Sequence, residues 1–297
     1  MKRLALIGLL LLSIGSFSAH GATRPSTLAF WSDRGGLPGV WLMKPDGTGL
    51  RLLTGTKLRA KRADFSPNGR MLVFDGQPPR GETFDFDIQV IGVDGRGRKR
   101  LTRGPARDLE PRWSPDGKTI VFQRQYGDLG PPSIWTIRPS GTGLRRLAAG
   151  SSPTWSRDGG LILFSRETST AWGSDIYRMK ADGTEAGLFF RSPDDDLPGA
   201  YSPNGRRIAF TRMSRSSPSA SIYVMNADGS AAQRLTPPTG FRMVADWSPD
   251  GRKILFTRIL RVRNAERGQV CVMNADGSQP RNLSRNRFDE NAESWSG

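Results

Sequence analysis

The sequence predicts an all-β fold, a six-bladed β-propeller of four-stranded antiparallel blades, and three observations support this prediction. An aromatic residue followed by serine recurs along the chain, two kinds of hairpin turn recur between these pairs, and the two ends of the chain carry complementary parts of one repeat. Repetition of four short strands is typical of propeller blades. We therefore expect residues 23–297 to form one propeller domain.

Six aromatic–serine pairs recur at regular spacings of 48, 42, 46, 46 and 48 residues. The pairs are Phe65-Ser66, Trp113-Ser114, Trp155-Ser156, Tyr201-Ser202, Trp247-Ser248 and Trp295-Ser296. Each repeat divides into four short strand-like runs, and the second run ends in phenylalanine in every copy: Phe30, Phe74, Phe122, Phe164, Phe210 and Phe256. A large apolar side chain at one fixed position is what packing between neighbouring blades requires.

Two hairpin turns separate the runs of each repeat. The first turn follows the aromatic residue and covers Ser66–Gly69, Ser114–Gly117, Ser156–Gly159, Ser202–Gly205 and Ser248–Gly251. The second turn carries Asp46-Gly47, Asp94-Gly95, Asp182-Gly183, Asp228-Gly229 and Asp276-Gly277, with Ser140-Gly141 as the one departure. Asp or Asn followed by glycine closes a hairpin because glycine adopts a positive φ without strain. These turns predict strands on both sides.

We expect the C-terminal strand to complete the N-terminal blade. Thr27 to Trp31 match a second run that has no first run before it, and Glu293 to Ser296 match a first run that has no second run after it. Pairing of these segments would close the ring and remove two open sheet edges. Cys271 is the single cysteine, so an internal disulfide is excluded.

Residues 1–22 are predicted to be a secretory signal peptide. Lys2 and Arg3 precede an apolar run from Leu4 to Ile14, and small residues lead to Ala22. The apolar run is too short to span a bilayer, although an uncleaved anchor is the competing interpretation. We therefore expect a periplasmic or secreted protein with no transmembrane segment after cleavage.

The charged and titratable residues exclude several classes of activity. His20 is the single histidine and lies in the predicted signal peptide, which excludes Ser-His-Asp catalysis and histidine-ligated zinc from the mature protein. The formal charge is +16. A strongly basic exported protein meets acidic proteins and anionic envelope polymers rather than nucleic acid, although high arginine content also serves solubility.

The repeat resembles the TolB-type propeller repeat, a WD40-like family. The resemblance lies in Trp113–Lys118, Ile120–Phe122, Ile222–Gly229 and Arg234–Thr236, and in their counterparts over residues 27–296. It implies an exported, non-catalytic protein that docks a protein partner on one face of the propeller. TolB carries a small α/β domain ahead of its propeller and peptidase relatives carry a hydrolase domain after it, and we expect neither here.

The variable connections are the candidate docking surface, because the repeated turns lie on the other face and are uniform. The candidate partner-binding residues are Arg59, Lys61, Arg62, Arg103, Arg107, Arg242, Arg285, Arg287, Asp289 and Glu290. Arginine forks suit carboxylates, so the expected partner is an acidic, envelope-associated protein bound by a monomer. A solvated, soluble rim is the other interpretation of these charges.

We expect no cofactor and no metal. Asp85, Asp87 and the run Asp194 to Asp196 lack the ligand spacing of a calcium loop, and Cys271 aligns with aromatic core positions of the other repeats. The alternative function is a carboxylate-dependent glycan lyase or hydrolase in the propeller channel, since carboxylate pairs perform acid–base chemistry without histidine. No acidic pair stands out at the channel-facing register.

Overall fold

The computed structural model describes residues 26–77, 85–127, 130–168, 173–262 and 265–297. The predicted signal peptide, residues 1–22, lies outside them. All regular secondary structure in the described residues is β-strand. No helix in this part of the chain has the length and apolarity needed to cross a membrane.

Four separate four-stranded sheets account for sixteen of the strands. The first sheet contains β1 (Thr27–Ser32), β2 (Gly39–Met43), β3 (Arg51–Leu52) and β24 (Glu290–Ser296). The second contains β4 (Arg59–Phe65), β5 (Met71–Gln77), β6 (Asp87–Gly92) and β7 (Lys99–Arg100). The third contains β8 (Ala106–Trp113), β9 (Ile120–Tyr126), β10 (Ser133–Ile137) and β11 (Arg145–Ala149). The fourth contains β12 (Ser151–Trp155), β13 (Leu161–Thr168), β14 (Gly173–Lys180) and β15 (Gly187–Phe190).

The remaining strands form one eight-stranded sheet. It contains β16 (Asp195–Tyr201), β17 (Arg207–Met213), β18 (Ala220–Asn226), β19 (Gln233–Arg234), β20 (Phe241–Trp247), β21 (Lys253–Val262), β22 (Ala265–Asn274) and β23 (Arg281–Asn282). A single parallel bridge between Ala220 of β18 and Phe241 of β20 joins its two halves. The prediction of four-stranded antiparallel blades is confirmed, but the structure shows four separate blades rather than the six expected, because this bridge merges the other eight strands.

The terminal strands pair as the sequence predicts. Strand β24 runs antiparallel to β1, with Leu28 opposite Trp295 and Thr27 opposite Ser296. The resulting order is β24-β1-β2-β3, so the N-terminal sheet obtains its innermost strand from the C-terminus. Inner strands β4, β8, β12, β16, β20 and β24 contact their neighbours in a closed cycle, since β24 contacts both β20 and β4.

Hydrophobic packing joins each sheet to the next. The described residues contain six apolar clusters, and each cluster is shared by adjacent sheets or by the two halves of the eight-stranded sheet. The repeated phenylalanines are at the centre of this packing: five are fully buried and Phe256 is 2% exposed. The cluster containing Phe30 includes Leu255 and Val270, so packing also connects β21 and β22 to the first sheet.

The predicted first turns have a common construction, shown by the turn after Trp113. Ser114 Oγ donates to Asp116 Oδ1 at 2.6 Å and accepts the N–H of Thr119 at 2.9 Å. Gly117 closes the turn with φ of 70°. These turns and the Asp-Gly hairpins lie at one end of the strands, which we call the turn face; the connections at the other end form the loop face.

The connection from Arg258 to Gly268 belongs to the variable connections, but most of it is a hairpin extension. The pairing of β21 with β22 continues from Arg258 to Val262 and returns through Ala265 to Gly268. Aliphatic residues such as Ile259 and Leu260 favour strand, and Arg261 forms an ion pair with Glu266 at 3.4 Å across this extension.

We predict that Phe164→Ala lowers the free energy of unfolding by about 3 to 5 kcal/mol, because it removes a fully buried ring from a packed junction between sheets. Urea denaturation measures this change. The matched control is Leu188→Ala, which removes a side chain that is 48% exposed, and its effect should stay within about 0.5 kcal/mol. Equal effects for the two variants would contradict the assigned packing.

Candidate functional site

The inner strands surround a central channel with a cavity at each end. The turn-face cavity has a volume of about 370 Å³ and the loop-face cavity about 330 Å³. Arg112, Gly199 and Ala245 line both cavities, so the two meet at this level. A Cβ atom on Gly199 would lie 2.2 Å from Val244 Cγ1, which shows how closely the inner strands approach one another there.

Each inner strand contains a β-bulge at the same level of the channel. The register shifts lie between Lys61 and Asp64, Leu109 and Arg112, Ser151 and Thr154, Pro198 and Ala200, Val244 and Asp246, and at Glu293 opposite Ala29 and Phe30. In three of the bulges a non-glycine residue adopts a left-handed conformation, with φ of 50° at Arg62, 55° at Glu110 and 51° at Ser152. A bulge redirects side chains, and it leaves a backbone N–H without a hydrogen bond to the neighbouring strand.

Side chains of the neighbouring strands accept the N–H groups freed at these bulges. The residue after each of four repeated phenylalanines provides the acceptor: Asp75 for Glu110 at 3.1 Å, Gln123 for Ser152 at 3.3 Å, Thr211 for Val244 at 3.0 Å and Thr257 for Ala292 at 2.9 Å. Trp31 occupies this position after Phe30, and Glu293 Oε1 accepts the N–H of Arg62 at 3.1 Å instead. Polar side chains therefore link successive sheets around the channel.

Charged residues concentrate on the part of the channel formed by β24, β4 and β8. Arg62 Nη1 lies 3.3 Å from Asp75 Oδ2, and its Nε lies 3.6 Å from Glu110 Oε1. On the same side Arg112 Nη1 lies 3.6 Å from Asp64 Oδ1. We call this group, together with Glu293 of β24 and Asp246 of the adjacent strand β20, the charged sector of the channel.

Asp64 and Asp246 occupy equivalent positions, each immediately before an aromatic–serine pair. Asp64 Oδ2 accepts the N–H of Trp113 at 2.7 Å, and Asp246 Oδ2 accepts the N–H of Trp295 at 2.9 Å. Both carboxylates therefore bind the backbone of a neighbouring inner strand. An acidic residue does recur at the channel register, contrary to the sequence interpretation.

Burial favours the neutral form of the carboxyl groups in the charged sector. Burial raises the pKa of Glu293 to about 8, although Arg112 and Arg62 oppose the shift. Burial likewise raises the pKa of Asp75 and of Asp246 to about 6, and raises the pKa of Asp64. The channel therefore holds groups that exchange protons near neutral pH.

The opposite side of the loop-face cavity is less polar. Its lining there includes Pro153, Leu197, Pro198, Met243 and Val244. The Met243 side chain is 37% exposed, and few other large apolar side chains among the described residues are exposed to this extent. The loop-face mouth of the channel therefore has a charged half and an apolar half.

Two of the residues predicted to bind a partner lie at this mouth. Lys61 Nζ lies 4.2 Å from the Trp31 ring centroid, and burial lowers the pKa of Lys61, with Arg62 adding to the effect. Arg62 belongs to the charged sector, and both residues line the loop-face cavity. Arg59, on the same strand, is half-buried.

The predicted acidic residues hold the chain closure. Glu290 is fully buried and forms an ion pair with Arg34 and a hydrogen bond with Ser32 at 2.9 Å. Asp289 Oδ1 accepts the N–H of Gly268 at 2.7 Å. Both carboxylates thus have partners inside the protein.

The other predicted basic residues are spread along the loop face rather than gathered at the channel. Arg103, Arg285 and Arg287 are exposed, and the Arg287 guanidinium lies 5.4 Å from the Phe288 ring centroid. Arg107 is half-buried in β8, where it pairs in register with Gln125. Arg242 is half-buried in β20, directly opposite Arg258.

Three of the acidic residues considered as calcium ligands form ion pairs with arginine. Asp87 pairs with Arg100, Asp195 with Arg215 at 2.9 Å, and Asp196 with Arg212 at 2.7 Å. No cluster of three or more metal-ligating side chains occurs in the described ranges.

Cys271 is a buried core residue, as its alignment with aromatic positions predicts. Burial raises the pKa of its thiol to about 11. The thiol therefore stays protonated and weakly nucleophilic at neutral pH.

Sequence reasoning missed the charged sector itself. Asp75 lies in one repeat and Glu110 and Arg112 lie in the next, they match no common motif, and their association depends on which inner strands are neighbours. The usable signal was positional: Asp64 and Asp246 directly precede the aromatic–serine pair, and Asp75 directly follows the repeated phenylalanine.

We predict that Glu293→Gln flattens the pH dependence of stability. The pKa of Glu293 is about 8 in the folded protein against 4.5 for the free group, so the folded state holds a proton that the unfolded state has released between these values. The free energy of unfolding therefore falls as pH rises through this window, by at most about 1.4 kcal/mol per pH unit. Glu293→Gln keeps an acceptor for the Arg62 N–H and removes the titration.

Denaturation at several values between about pH 6.5 and 8 isolates this group, because the shifted aspartates titrate lower. Glu185→Gln, at an exposed position, is the control and should keep the wild-type slope. An unchanged slope in Glu293→Gln would show that Glu293 is ionised throughout.

Comparison with known proteins agrees with this architecture. The family model described as TolB beta propeller domain matches residues 63–219. The Tol-Pal system protein TolB of Syntrophus aciditrophicus is 35% identical over 100 residues, which are 34% of this chain and 20% of that relative's length. The matched part of the chain thus spans about a fifth of this relative.

Two solved structures share the fold. TolB from Acinetobacter baumannii superposes with a TM-score of 0.70 and 19% identity, over 91% of this chain and 64% of that one. A putative TolB from Agrobacterium tumefaciens superposes with a TM-score of 0.66 and 20% identity, over 91% of both chains. The family match covers more than half of the chain, and the chain belongs to the TolB β-propeller domain family.

Proposed function

We propose that this protein is an exported, non-catalytic docking protein that binds an acidic protein partner over the loop-face mouth of its channel. The observation that carries the proposal is the two-sided mouth. Its charged half offers Lys61 and Arg62, and its apolar half offers Met243 and Leu197. An apolar contact area beside directional polar groups is the usual composition of a protein-binding surface.

We also infer that the propeller is functionally six-bladed, with the eight-stranded sheet serving as two blades. The closed cycle of inner-strand contacts and the six shared apolar clusters support this count. A lone bridge between Ala220 and Phe241 adds little to the two antiparallel meanders it joins.

The distribution of charge supports an acidic partner. Arg103, Arg285 and Arg287 form an exposed basic rim on the loop face, outside the mouth. Such a rim accelerates encounter with an acidic partner, while contacts at the mouth determine how long the complex lasts. Glu290 pairs with Arg34 and accepts a hydrogen bond from Asn286, the residue between Arg285 and Arg287.

The proposed location of this protein and the proposed class of its partner rest on two observations. One is the predicted signal peptide. The other is the match to the relative from Syntrophus aciditrophicus, which is named a Tol-Pal system protein. We propose that this chain likewise works outside the cytoplasm as a monomer and binds an envelope-associated protein.

A carboxylate-dependent glycan lyase or hydrolase is the second candidate function. The observation that favours it is Glu293, whose pKa of about 8 would keep a proton available for a general acid at neutral pH. Against this, Glu293 is 7% exposed and already accepts the Arg62 N–H. The carboxyl group thus has a structural role.

Site-specific photocrosslinking in cell-envelope extract tests the docking proposal. A photoreactive residue replaces Met243 at the loop-face mouth, and a matched one replaces Leu144, which is 45% exposed in a turn-face hairpin. We expect the Met243 position to capture one acidic protein, with a yield that falls several-fold between low and moderate salt. The Leu144 position should not capture that protein.

Capture of the same protein at both positions, or at Leu144 alone, would contradict a loop-face docking site. Capture of nothing at Met243, together with cleavage of an acidic polysaccharide that Glu293→Gln abolishes, would establish the enzymatic alternative instead.

A further inference from the structure

An arginine on the second strand of a sheet repeatedly pairs with an aspartate directly opposite it on the inner strand. Arg124 bonds to both oxygens of Asp108 at 2.6 and 2.7 Å, and Arg212 bonds to both oxygens of Asp196 at 2.7 and 3.3 Å. Both aspartates are buried. The loop-face end of these sheets therefore contains a fixed arginine–carboxylate pair.

An aromatic ring on the third strand covers each of these arginines. The Arg124 guanidinium lies 4.7 Å from the Trp135 ring centroid, and that of Arg212 lies 4.4 Å from Tyr223. In the first sheet Arg34 shows the same surroundings, since it pairs with Glu290 and lies 5.2 Å from the Trp41 ring. Carboxylate and ring together satisfy the charge and cover the face of the guanidinium.

Strands β20, β21 and β22 retain the arginine and lack both of its partners. Arg258 is directly opposite Arg242, at the position where β8 and β16 carry the aspartates. Cys271 occupies the position of the aromatic ring, in register with Phe256. Like charges directly opposite each other on paired strands are destabilising.

Neither arginine finds a replacement carboxylate within the described residues. Arg242 Nη1 donates to the carbonyl of Thr239 at 2.5 Å, and the Arg258 side chain is exposed. Burial lowers the pKa of Arg242, and the charge of Arg258 lowers it further. Arg166 also lacks a carboxylate on the inner strand of its sheet, but it lies 4.7 Å from the Tyr177 ring, bonds to the Ala149 carbonyl at 3.2 Å and is in register with Asp175 on the third strand. Arg258 has none of these partners.

The missing ring leaves open space beside the two guanidinium groups. A cavity of about 200 Å³ is lined by Arg242, Arg258, Phe256, Cys271 and Met273, among others. A second cavity of about 240 Å³ lies against the same two arginines. The lining of the first cavity thus combines the charged donors of Arg242 and Arg258 with the apolar side chains of Phe256 and Met273.

We propose that Arg242 and Arg258 form a binding site for the carboxylate of a glutamate or aspartate side chain supplied by a partner protein. In the related sheets an aspartate of this chain pairs with the arginine that corresponds to Arg258. The surroundings of Arg258 are therefore suited to binding a carboxylate. Two guanidinium groups without an internal anion provide charge-assisted donors for an external one. The inference deepens the proposed docking function and rests on it for the partner being a protein.

A carboxylate suits this position better than a phosphate because in the related pairs an arginine binds both oxygens of a carboxylate, as Arg124 does with Asp108. A cavity of about 200 Å³ accommodates one side chain rather than a folded segment. The partner therefore inserts a single acidic residue here, away from the channel mouth.

The test is a titration of the protein with the peptide Ac-Gly-Glu-Gly-amide, followed through the arginine Nε–Hε NMR signals. Ac-Gly-Gln-Gly-amide and inorganic phosphate are the comparison ligands. We expect saturable shifts of the Arg242 and Arg258 signals with the glutamate peptide, at least ten-fold stronger binding than with the glutamine peptide, and weaker binding of phosphate.

Arg242→Asp is the decisive variant, because it restores the internal pair of the related sheets. It should weaken peptide binding at least ten-fold without lowering the melting temperature. Arg206→Asp makes the same charge change at an exposed turn-face position and should bind as wild type does. Should Arg242→Asp fail to fold, Arg258→Gln is expected to show the same ten-fold loss.

Three results would overturn the inference: no saturable shift at either arginine, equal binding by wild type and Arg242→Asp, or preference for phosphate over the glutamate peptide. Each leaves photocrosslinking at Met243 unaffected, so failure of this site and failure of the docking proposal are distinguishable.

Discussion

Backbone hydrogen bonding between β24 and β1 is the constraint on which the rest of the structure depends. The two strands are more than 250 residues apart in sequence, and their pairing places the C-terminal strand innermost in the N-terminal sheet. The apolar cluster around Phe30 and Leu255 then joins the last strands to the first. Without a disulfide, this contact and the packing of repeated phenylalanines must hold the ring. The channel exists because the ring is closed.

The channel obtains its chemistry from a regular distortion of the sheets. A bulge in every inner strand frees a backbone N–H, and a polar side chain from a neighbouring strand accepts most of these groups. Where that side chain is ionisable, as at Asp75 and Glu293, its place between the strands also buries the carboxyl group, and this burial raises the pKa although the hydrogen bond itself lowers it. The same residues that connect the sheets therefore determine the charge of the candidate docking surface. Arginines such as Arg62 balance this charge locally.

Local chemistry made most of the fold predictable from sequence. The Ser-Pro-Asx-Gly turns, the fixed phenylalanine and the divided repeat each specify a strand, a core position or a pairing. The merging of the last two meanders was not predictable, because one bridge between Ala220 and Phe241 has no sequence signal. The charged sector was missed for a related reason: Asp75 meets Arg62 and Glu110 across neighbouring strands, so no motif within one repeat contains it. Only Lys61 and Arg62 of the residues predicted to bind a partner lie at the channel mouth.

The most direct test of the closed ring is to remove its last strand and measure the free energy of unfolding. A chain ending at Asn291 loses most of β24, including Trp295, and should lose a large part of the roughly 5 to 15 kcal/mol that stabilises a typical domain. A chain lacking Gly297 alone is the control and should unfold as the full chain does. Unfolding of the shorter chain at the same denaturant concentration and with the same slope as the full chain would contradict the account.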